Sequence, residues 1–336
     1  MTLAALQLWP ETASDIGRSV DTLYIVMVVL TSIVVGGIGA IILYFVIKYR
    51  RRHEDDVGQD IGEHMGVEIT WTAIPLVICL IIFVWASWLF LRMSKPPSDA
   101  MVINIVGKQW MWKIQHPSGR KEIDELHLPL GKPILLQMTS EDVIHSFFIP
   151  EFRTKQDVLP GRYSEQWFTP TKLGQFHLFC SQYCGTSHAQ MQGTVFVMEP
   201  GDYDAWAAQV APDNRPEAVG AALFTQYGCI ACHGQQAPTL AGVYNHPQTM
   251  QNGRTIIADD AYLRESIIDP RAQIVAGYTP IMPSYQGQLS EEQIFALLAY
   301  IKSLGAAAST PGNTANSSTP AATRPTASAP GTGGTP

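Results

Sequence analysis

The sequence is poor in charged residues and in cysteine, and both shortages limit the kinds of protein that it can encode. Asp, Glu, Lys and Arg together account for 15% of the 336 residues, whereas hydrophobic residues account for 46%. The formal net charge is −7, so the chain lacks a basic surplus, and we expect no nucleic acid among its partners. A basic partner protein suits this charge better.

Only five cysteines are present, and none is left over for a conventional structural disulfide. Four of them lie in two short clusters, at 180–184 and 229–232. The fifth, Cys79, lies in an apolar run, where a thiol acts as a small hydrophobic residue. This distribution argues against a fold that depends on disulfides and directs attention to the two clusters.

Two long segments contain no charge and no histidine. Residues 22–47 form a run of 26 residues and residues 69–91 a run of 23. Each is long enough to cross a hydrocarbon layer of about 30 Å at about 1.5 Å per residue. A buried core helix is the alternative, but such lengths without a charged face favour membrane spans. The sequence predicts an outer segment at 1–21 and a two-helix transmembrane hairpin at 22–92.

Positive charge is concentrated between the two runs. Lys48, Arg50, Arg51 and Arg52 begin the connecting loop, which covers 48–68, and such loops are expected on the cytoplasmic side. The first Lys or Arg of the chain is residue 18, so its start does not resemble a cleavable secretory signal. We therefore expect both termini, and both folded parts, on the outer side of a bacterial inner membrane.

The remainder of the chain divides into two folded parts and a tail. Residues 101–210 alternate short apolar runs with turn residues, which predicts a β-sandwich or barrel. A break at 211–216 separates them from a helical part at 217–304. The tail, 306–336, is almost entirely Ala, Ser, Thr, Pro and Gly and is expected to be disordered. The predicted strands are 102–106, 134–138, 163–168, 175–179 and 194–198.

Two segments of the helical part carry helix signals. The first is 217–227, and the second is 290–304, where Ser290 and Gln293 form a capping box. Acidic residues in the first turn suit the positive end of the helix dipole. The apolar face of the second helix is formed by Ile294, Leu297, Leu298 and Ile301.

The first cysteine cluster belongs to a larger set of metal-binding side chains. Cys180, Cys184, His188 and Met191 follow one another at spacings of 4, 4 and 3, and His145 precedes the first of them by 35 residues. Thiolates and a thioether beside imidazoles favour copper. A tetrahedral zinc site made by the cysteines and histidines, or a disulfide between the two cysteines, is the alternative.

The second cysteine cluster is an attachment signature for a c-type haem, with Cys229, Cys232 and His233 in the order Cys-X-X-Cys-His. Each cysteine can form a thioether with a haem vinyl group, and the histidine is then an axial ligand. The alternative is a redox-active Cys-X-X-Cys motif, but such a motif is expected in a βαβ fold. Met282 suits the sixth iron position, with Met250 and His246 as competitors.

Five stretches of the chain resemble cytochrome c oxidase subunit II. They extend from the second membrane run to the end of the β part, so the resemblance covers architecture as well as one loop. The stretches are EITWTAIP at 68–75, GKQWMW at 107–112, DVIHSF at 142–147, DVLPGR at 157–162 and CSQYCGTSHAQM at 180–191.

The resemblance implies a cupredoxin-like Greek-key β-barrel that holds a dinuclear copper centre, CuA. In this family Cys180 and Cys184 would bridge two coppers, His145 and His188 would each bind one copper, and the weaker ligands would be Met191 and the backbone carbonyl of Gln182. The family often has glutamate at position 182. The carboxylate that reaches a magnesium ion in many relatives is therefore absent.

The resemblance also implies roles for two residues outside this ligand set. Trp110 matches a tryptophan on the electron route near copper, although an aromatic packed in the barrel or at the membrane surface would look the same. Glu68 matches a carboxylate near the mouth of a proton channel in the catalytic subunit. A charge at the inner end of a membrane helix that reaches towards water is the alternative.

The C-terminal part resembles an all-α cytochrome c domain. The segment 223–233 and the helix that contains Tyr300 resemble its crossed first and last helices, and Pro238 and Leu240 resemble its haem-packing turn. The resemblance implies that the Pro238 carbonyl orients the proximal imidazole.

Together these features predict the subunit that takes electrons into a haem-copper oxidase. Electrons would pass from cytochrome c or a similar external donor to haem c, then to CuA. Oxygen reduction and proton pumping would occur in subunit I, which holds haem a and CuB, with subunit III and lipids as further partners. A copper-containing nitric oxide reductase subunit and a membrane-anchored carrier without a catalytic partner are the alternatives.

Overall fold

The computed structural model describes residues 10–58, 61–234 and 236–308. Two long helices, α1 (Asp15–Lys48) and α2 (Met65–Met93), are long and apolar enough to cross a membrane. Their apolar side chains are exposed along most of their length. A helix that is hydrophobic on all sides and not covered by protein needs an apolar surrounding. The expected membrane hairpin is therefore confirmed.

Helix α1 begins earlier than the predicted outer segment allows. Ser14 caps it by accepting a hydrogen bond from the Gly17 N–H at 2.9 Å, so the helix begins at Asp15 and not at residue 22. Ala13 and Ile16 are almost fully buried in the β core. The start of α1 is thus packed against the β part. The first nine residues of the predicted segment lie outside the described residues.

The β part, here called the barrel unit, contains ten strands in two sheets. One sheet has the order β3-β2-β1-β5-β8 and the other β4-β10-β9-β6-β7. The strands are β1 (Met101–Lys108), β2 (Met111–Gln115), β3 (Lys121–Ile123), β4 (Glu125–Pro129), β5 (Ile134–Ser140), β6 (His145–Ile149), β7 (Thr154–Val158), β8 (Ser164–Phe168), β9 (Gly174–Cys180) and β10 (Gln192–Met198).

Each of the two sheets of the sandwich contains one parallel pair of non-consecutive strands. β1 pairs with β5 in parallel and β10 pairs with β4 in parallel, while β10 and β9 are antiparallel. Alternate side chains point between the sheets, where Trp112, Phe147 and Phe168 are buried. All five predicted strands are present, and the cupredoxin-like fold is confirmed.

A short helix, α3 (Pro200–Ala207), packs on the barrel unit through a buried polar cluster. The His127 ring is stacked between Phe196 and Trp206, with ring centroids 4.5 and 4.6 Å away. Glu122 accepts hydrogen bonds from both His116 (2.9 Å) and His127 (2.6 Å). Burial raises the pKa of Glu122, but the two imidazoles outweigh it and lower that pKa to about 2.

The C-terminal part, here called the helical unit, contains α4 (Pro216–Gln226), α5 (Asp260–Ile268) and α6 (Glu291–Ala308). It differs from an all-α domain by a short hairpin of β11 (Pro247–Thr249) and β12 (Thr255–Ile257). Helix α6 also continues beyond the predicted end at 304 into the first residues of the predicted tail. The tail from residue 309 onwards lies outside the described residues.

Helices α4 and α6 cross closely because Gly220 has no side chain. A Cβ at Gly220 would collide with the carbonyl oxygen of Ala296. The Phe224 and Tyr300 rings meet beside this crossing, 5.3 Å apart. Ser290 and Gln293 form the predicted capping box, with hydrogen bonds of 2.9 and 3.3 Å. The predicted apolar face of α6 is buried in the core of the helical unit.

Candidate metal and cofactor sites

Sheet order brings the first ligand set together. Strand β6 begins with His145 and strand β9 ends with Cys180, and the two strands are neighbours, with Phe147 opposite Cys180. The loop from 180 to 191, here called the cysteine loop, then folds back into β10. His145 and both cysteines of the loop are buried. The 35-residue separation in sequence thus becomes a contact in space.

The donor atoms of this set lie close enough to share metal ions. The two cysteine sulfurs are 3.8 Å apart, and the Cys180 Sγ lies 4.0 Å from His145 Nδ1. The Cys184 Sγ lies 3.5 Å from His188 Nδ1 and 3.8 Å from the Met191 Sδ. The carbonyl oxygen of residue 182 is 3.3 Å from the Cys180 sulfur. Every ligand predicted for this site is present in one cluster.

Hydrogen bonds outside the cluster orient the His145 ring. Its Nε2 is 2.8 Å from the Asp142 Oδ1, which leaves Nδ1 facing the sulfurs. The Gln109 backbone N–H donates to the other Asp142 oxygen at 2.7 Å, and the Gln109 side chain donates to the Cys184 carbonyl at 2.7 Å. Asp142 and Gln109 therefore hold the ligand strand and the cysteine loop in one arrangement.

The two thiols differ in acidity because their surroundings differ. Burial raises the pKa of Cys180, but hydrogen bonds, above all from His145, outweigh it and bring that pKa to about 6. Burial and the charge of Cys180 raise the pKa of Cys184 to about 12. A cation between the two sulfurs would remove this repulsion. Soft sulfur donors beside imidazoles fit copper, so the residues present suit the group.

The second site is a cavity of about 360 Å³ in the helical unit, here called the CXXCH cavity. Cys229, Cys232, His233 and Met282 all line it. The His233 Nδ1 lies 2.9 Å from the Pro238 carbonyl oxygen, so its N–H is used there and Nε2 remains for a metal. Two thiols, an imidazole and a thioether around a mostly apolar cavity fit a covalently attached haem.

The competitors of Met282 do not line this cavity. Met250 is buried, with its backbone bridged to Val275, and lies outside the cavity wall. His246 is exposed, and its Nδ1 is 2.9 Å from the Tyr244 carbonyl. Met282 also lines a smaller adjoining cavity together with His233. The geometry therefore favours Met282 as the sixth ligand.

Comparison with known proteins matches each of the three main parts of the chain to a known family. Three family models match the chain: the transmembrane domain of cytochrome C oxidase subunit II at 3–88, its periplasmic domain at 119–198, and cytochrome c at 217–305. Cytochrome c oxidase subunit 2 of Alkalihalophilus pseudofirmus is 32% identical over 302 residues, which cover 84% of this chain and 85% of the relative. The chain belongs to the cytochrome c oxidase subunit II family.

Other members of the family give shorter matches. Cytochrome c oxidase subunit 2 of Thermostichus vulcanus is 31% identical, covering 60% of this chain and 78% of the relative. A crystal structure of the periplasmic domain of subunit II of cytochrome oxidase from Bradyrhizobium japonicum is 33% identical. That match covers 34% of this chain and 94% of the other, with a TM-score of 0.33.

Membership of this family with a cytochrome c domain implies a copper-binding barrel unit, a haem-binding helical unit and a role in electron transfer.

Trp110 lies beside the cysteine loop of this subunit II chain. A Cβ added at Gly185 would lie 3.2 Å from the Trp110 ring and 2.9 Å from the Nε2 of the Gln109 side chain. The indole N–H is buried and has no hydrogen-bond partner within the described part of the chain. Trp110 therefore touches the loop that carries the predicted ligands.

Glu68 is far along the chain from both sites. It lies in the first turn of α2, at the end of the membrane hairpin that adjoins the connecting loop. An acidic side chain there suits the positive end of the helix dipole. Its backbone carbonyl accepts a hydrogen bond from the Thr72 hydroxyl. These contacts leave its expected role in proton uptake as a prediction.

Three residues that matter to the copper cluster carry no metal-ligand signal in the sequence. Asp142, Gln109 and Gly185 orient or make room for the ligands, yet aspartate, glutamine and glycine occur in many loops. Their only signal is position, because each lies inside a stretch that resembles the subunit II family. Sheet register, which brings Gln109 to Asp142, was not readable from the spacing.

Proposed function

We propose that this chain is the subunit that receives electrons in a cytochrome c oxidase. It would take electrons from cytochrome c or a similar donor at the helical unit and pass them through the barrel unit to the catalytic subunit. Subunit I, with haem a and CuB, would reduce O2 to water and pump protons, and subunit III would complete the complex. Both units and both termini would lie on the periplasmic side of the inner membrane.

The gathering of six donor groups, two of them buried cysteine thiols, carries this proposal. A lone zinc site would use the cysteines and histidines, but would have no need of the Met191 thioether 3.8 Å from Cys184. A disulfide is not formed, because both cysteines are free and their sulfurs are 3.8 Å apart. We assign His145, Cys180, the Gln182 carbonyl, Cys184, His188 and Met191 as ligands of the dinuclear copper centre CuA.

The residues of the barrel unit would serve fast electron transfer by staying in place. When bound, a dinuclear copper centre supplies one-electron chemistry with its charge shared between two metals. Asp142 and Gln109 hold the imidazole and the loop through hydrogen bonds of 2.7 to 2.8 Å, so the ligands need not move. Burial of both cysteines excludes water from the sulfurs. Trp110, against the cysteine loop, is the proposed electron exit.

In the helical unit, Cys229 and Cys232 would hold haem c through thioether bonds, and His233 and Met282 would bind its iron. The Pro238 carbonyl fixes the direction of the His233 ring through the 2.9 Å contact with Nδ1. A thioether ligand raises the potential of haem iron, as a donor to an oxidase requires. Glu68, at the opposite end of the hairpin, would lie near a proton channel of subunit I.

Metal analysis with electron paramagnetic resonance on the full purified chain tests the proposal. We expect copper at twice the molar amount of haem iron, a near-infrared copper absorption and a low-spin haem. Zinc in place of copper would contradict the copper assignment. If acid acetone extracted the haem with no need to cleave thioether bonds, covalent attachment would be contradicted. Co-purification with a subunit that contains haem a and consumes oxygen would support the oxidase. Nitric oxide turnover with haem b alone would contradict it.

A further inference from the structure

Arg264, on α5, is a charged residue buried between the two units. It is only 8% exposed. Its Nε lies 3.0 Å from the Glu291 Oε2, and a second guanidinium nitrogen pairs with the other Glu291 oxygen. A third nitrogen donates to the Gly161 carbonyl of the barrel unit at 2.7 Å. Arginine is rarely buried unless it is paired in this way, so this side chain joins α5, α6 and the barrel unit.

Tyr163, in the loop after β7 of the barrel unit, adds a second side chain to the same contact. Its ring is stacked on Phe295 of α6, with centroids 5.2 Å apart and planes 17° apart. The Arg264 guanidinium lies 5.5 Å from the same ring. Aromatic stacking and a cation beside the ring stabilise the contact beyond the area that it buries.

Two further contacts lie on other strands. Lys113 of β2 is 3.0 Å from a Glu292 carboxylate oxygen in the helical unit and 3.1 Å from Glu141 in its own unit. The Gln137 side chain of β5 donates to Asp260 of α5 at 3.0 Å. Contacts at three places, on β2, β5 and the loop after β7, restrict rotation as well as translation of the helical unit.

The loop that Arg264 contacts also leads to the copper cluster. It follows Val158, which lies opposite His145 in the β6–β7 pair. At its other end, Gly161 to Tyr163 line a groove shared with Tyr262 and Gln273, and these two residues also line the CXXCH cavity. A short stretch of backbone therefore runs from a groove that adjoins the CXXCH cavity to Val158, which lies opposite a proposed copper ligand.

We infer that Arg264 is a positioning residue that, with Tyr163, fastens the helical unit to the barrel unit at one fixed separation. The helical unit is then a docked relay and not a tethered shuttle. Holding two reacting groups in one geometry makes their reaction a unimolecular step that does not wait for encounter. This inference rests on the proposed electron transfer between the two units.

A cross-link read within the full chain tests the docking directly. A carbodiimide joins a carboxylate and an amine in contact as an amide. Lys113 has a carboxylate partner in each unit, so the ratio of Lys113–Glu292 to Lys113–Glu141 products reports docking with an internal control. We expect both products in the native chain. In Arg264→Gln the ratio should fall by about tenfold or more, because Glu291 would keep a buried, uncompensated charge.

Three further variants separate docking from folding. Tyr163 belongs to the barrel unit, and Tyr163→Ala should lower the same cross-link ratio. Arg254 is an exposed arginine of the helical unit, and the control variant Arg254→Gln should leave the ratio unchanged. An Arg264→Lys chain should recover only part of the ratio, because lysine cannot form the paired contact. Haem and copper spectra of each variant show whether the units remain folded.

Flash reduction of the haem gives a second readout. In the native chain the rate of copper reduction should be independent of glycerol viscosity, and in Arg264→Gln it should slow as viscosity rises. An unchanged cross-link ratio in both Arg264→Gln and Tyr163→Ala would overturn the inference, as would a viscosity-dependent rate in the native chain. A normal ratio in a chain that binds no copper would instead contradict the proposed function and leave the docking intact.

Discussion

Asp142 lies 2.8 Å from the Nε2 of His145 and thereby determines which ring nitrogen faces the two sulfurs. The carboxylate is itself held by the Gln109 backbone N–H at 2.7 Å. Burial raises the pKa of Asp142, but these hydrogen bonds outweigh it and keep the carboxyl ionised. A charged acceptor at Nε2 favours Nδ1 as the metal-binding atom and makes it more basic.

Removing this carboxylate should weaken copper binding without removing a ligand. We expect Asp142→Ala to lower copper affinity by about 10- to 100-fold, because the His145 ring loses its orienting partner. Copper competition followed by the near-infrared absorption measures the change. Asp157→Ala, an exposed aspartate on the neighbouring strand β7, is the control and should bind copper normally. Equal affinity in the two variants would show that Asp142 does not orient the ligand.

A side chain at Gly185 should disturb the cysteine loop. Gly185 has φ of +121°, and an added Cβ would lie 2.9 Å from the Nε2 of the Gln109 side chain. We expect Gly185→Ala to lower the free energy of unfolding of the barrel unit by about 1 to 3 kcal/mol and to weaken copper retention. Thermal unfolding measures the first effect. Gly201→Ala, on α3 with nothing within 4 Å of the added atom, should be close to neutral.

Replacing Met282 should alter the haem and leave the copper unchanged. We expect Met282→Leu to remove the thioether ligand, lower the haem midpoint potential and leave the copper resonance intact, because the two sites lie in different units. Redox titration with paramagnetic resonance on the same sample gives both readings. Met250→Leu, a buried methionine outside the CXXCH cavity, should retain the native potential. Loss of both signals in Met282→Leu would contradict the division into two sites.

The Glu122 cluster should make the barrel unit sensitive to acid. Because the pKa of Glu122 is lowered from 4.5 to about 2, its stabilising contribution is complete above pH 4.5 and is lost as the pH falls towards 2. The loss would amount to about 3 kcal/mol at about 1.4 kcal/mol per pKa unit. Thermal unfolding between pH 5 and pH 2 should show a shallower decline in Glu122→Gln. The exposed neighbour variant, Glu125→Gln, should keep the native decline.

Elements with a strong local pattern were predicted well. The membrane helices, five strands of the barrel and the capped helix α6 each follow from hydrophobic periodicity or from end signals within a few residues. Boundaries were less certain where tertiary contacts decide them. Helix α1 begins at Asp15 because Asp15 also accepts the Thr169 N–H at 3.0 Å, a contact invisible in the apolar run. The β11–β12 hairpin was missed because its strands are only three residues long.

The sequence by itself determined the chemistry of this protein. Spacing indicated the cysteines, histidines and methionines that are candidates for metal binding, and the length of the apolar runs indicated membrane spans, because both are local properties of the chain. Only the tertiary structure decided the rest. Sheet order brought His145 to Cys180, hydrogen bonds from Asp142 and Gln109 oriented the site, and Arg264 joined the two units. These contacts link residues distant in sequence, and their geometry depends on strand register and packing.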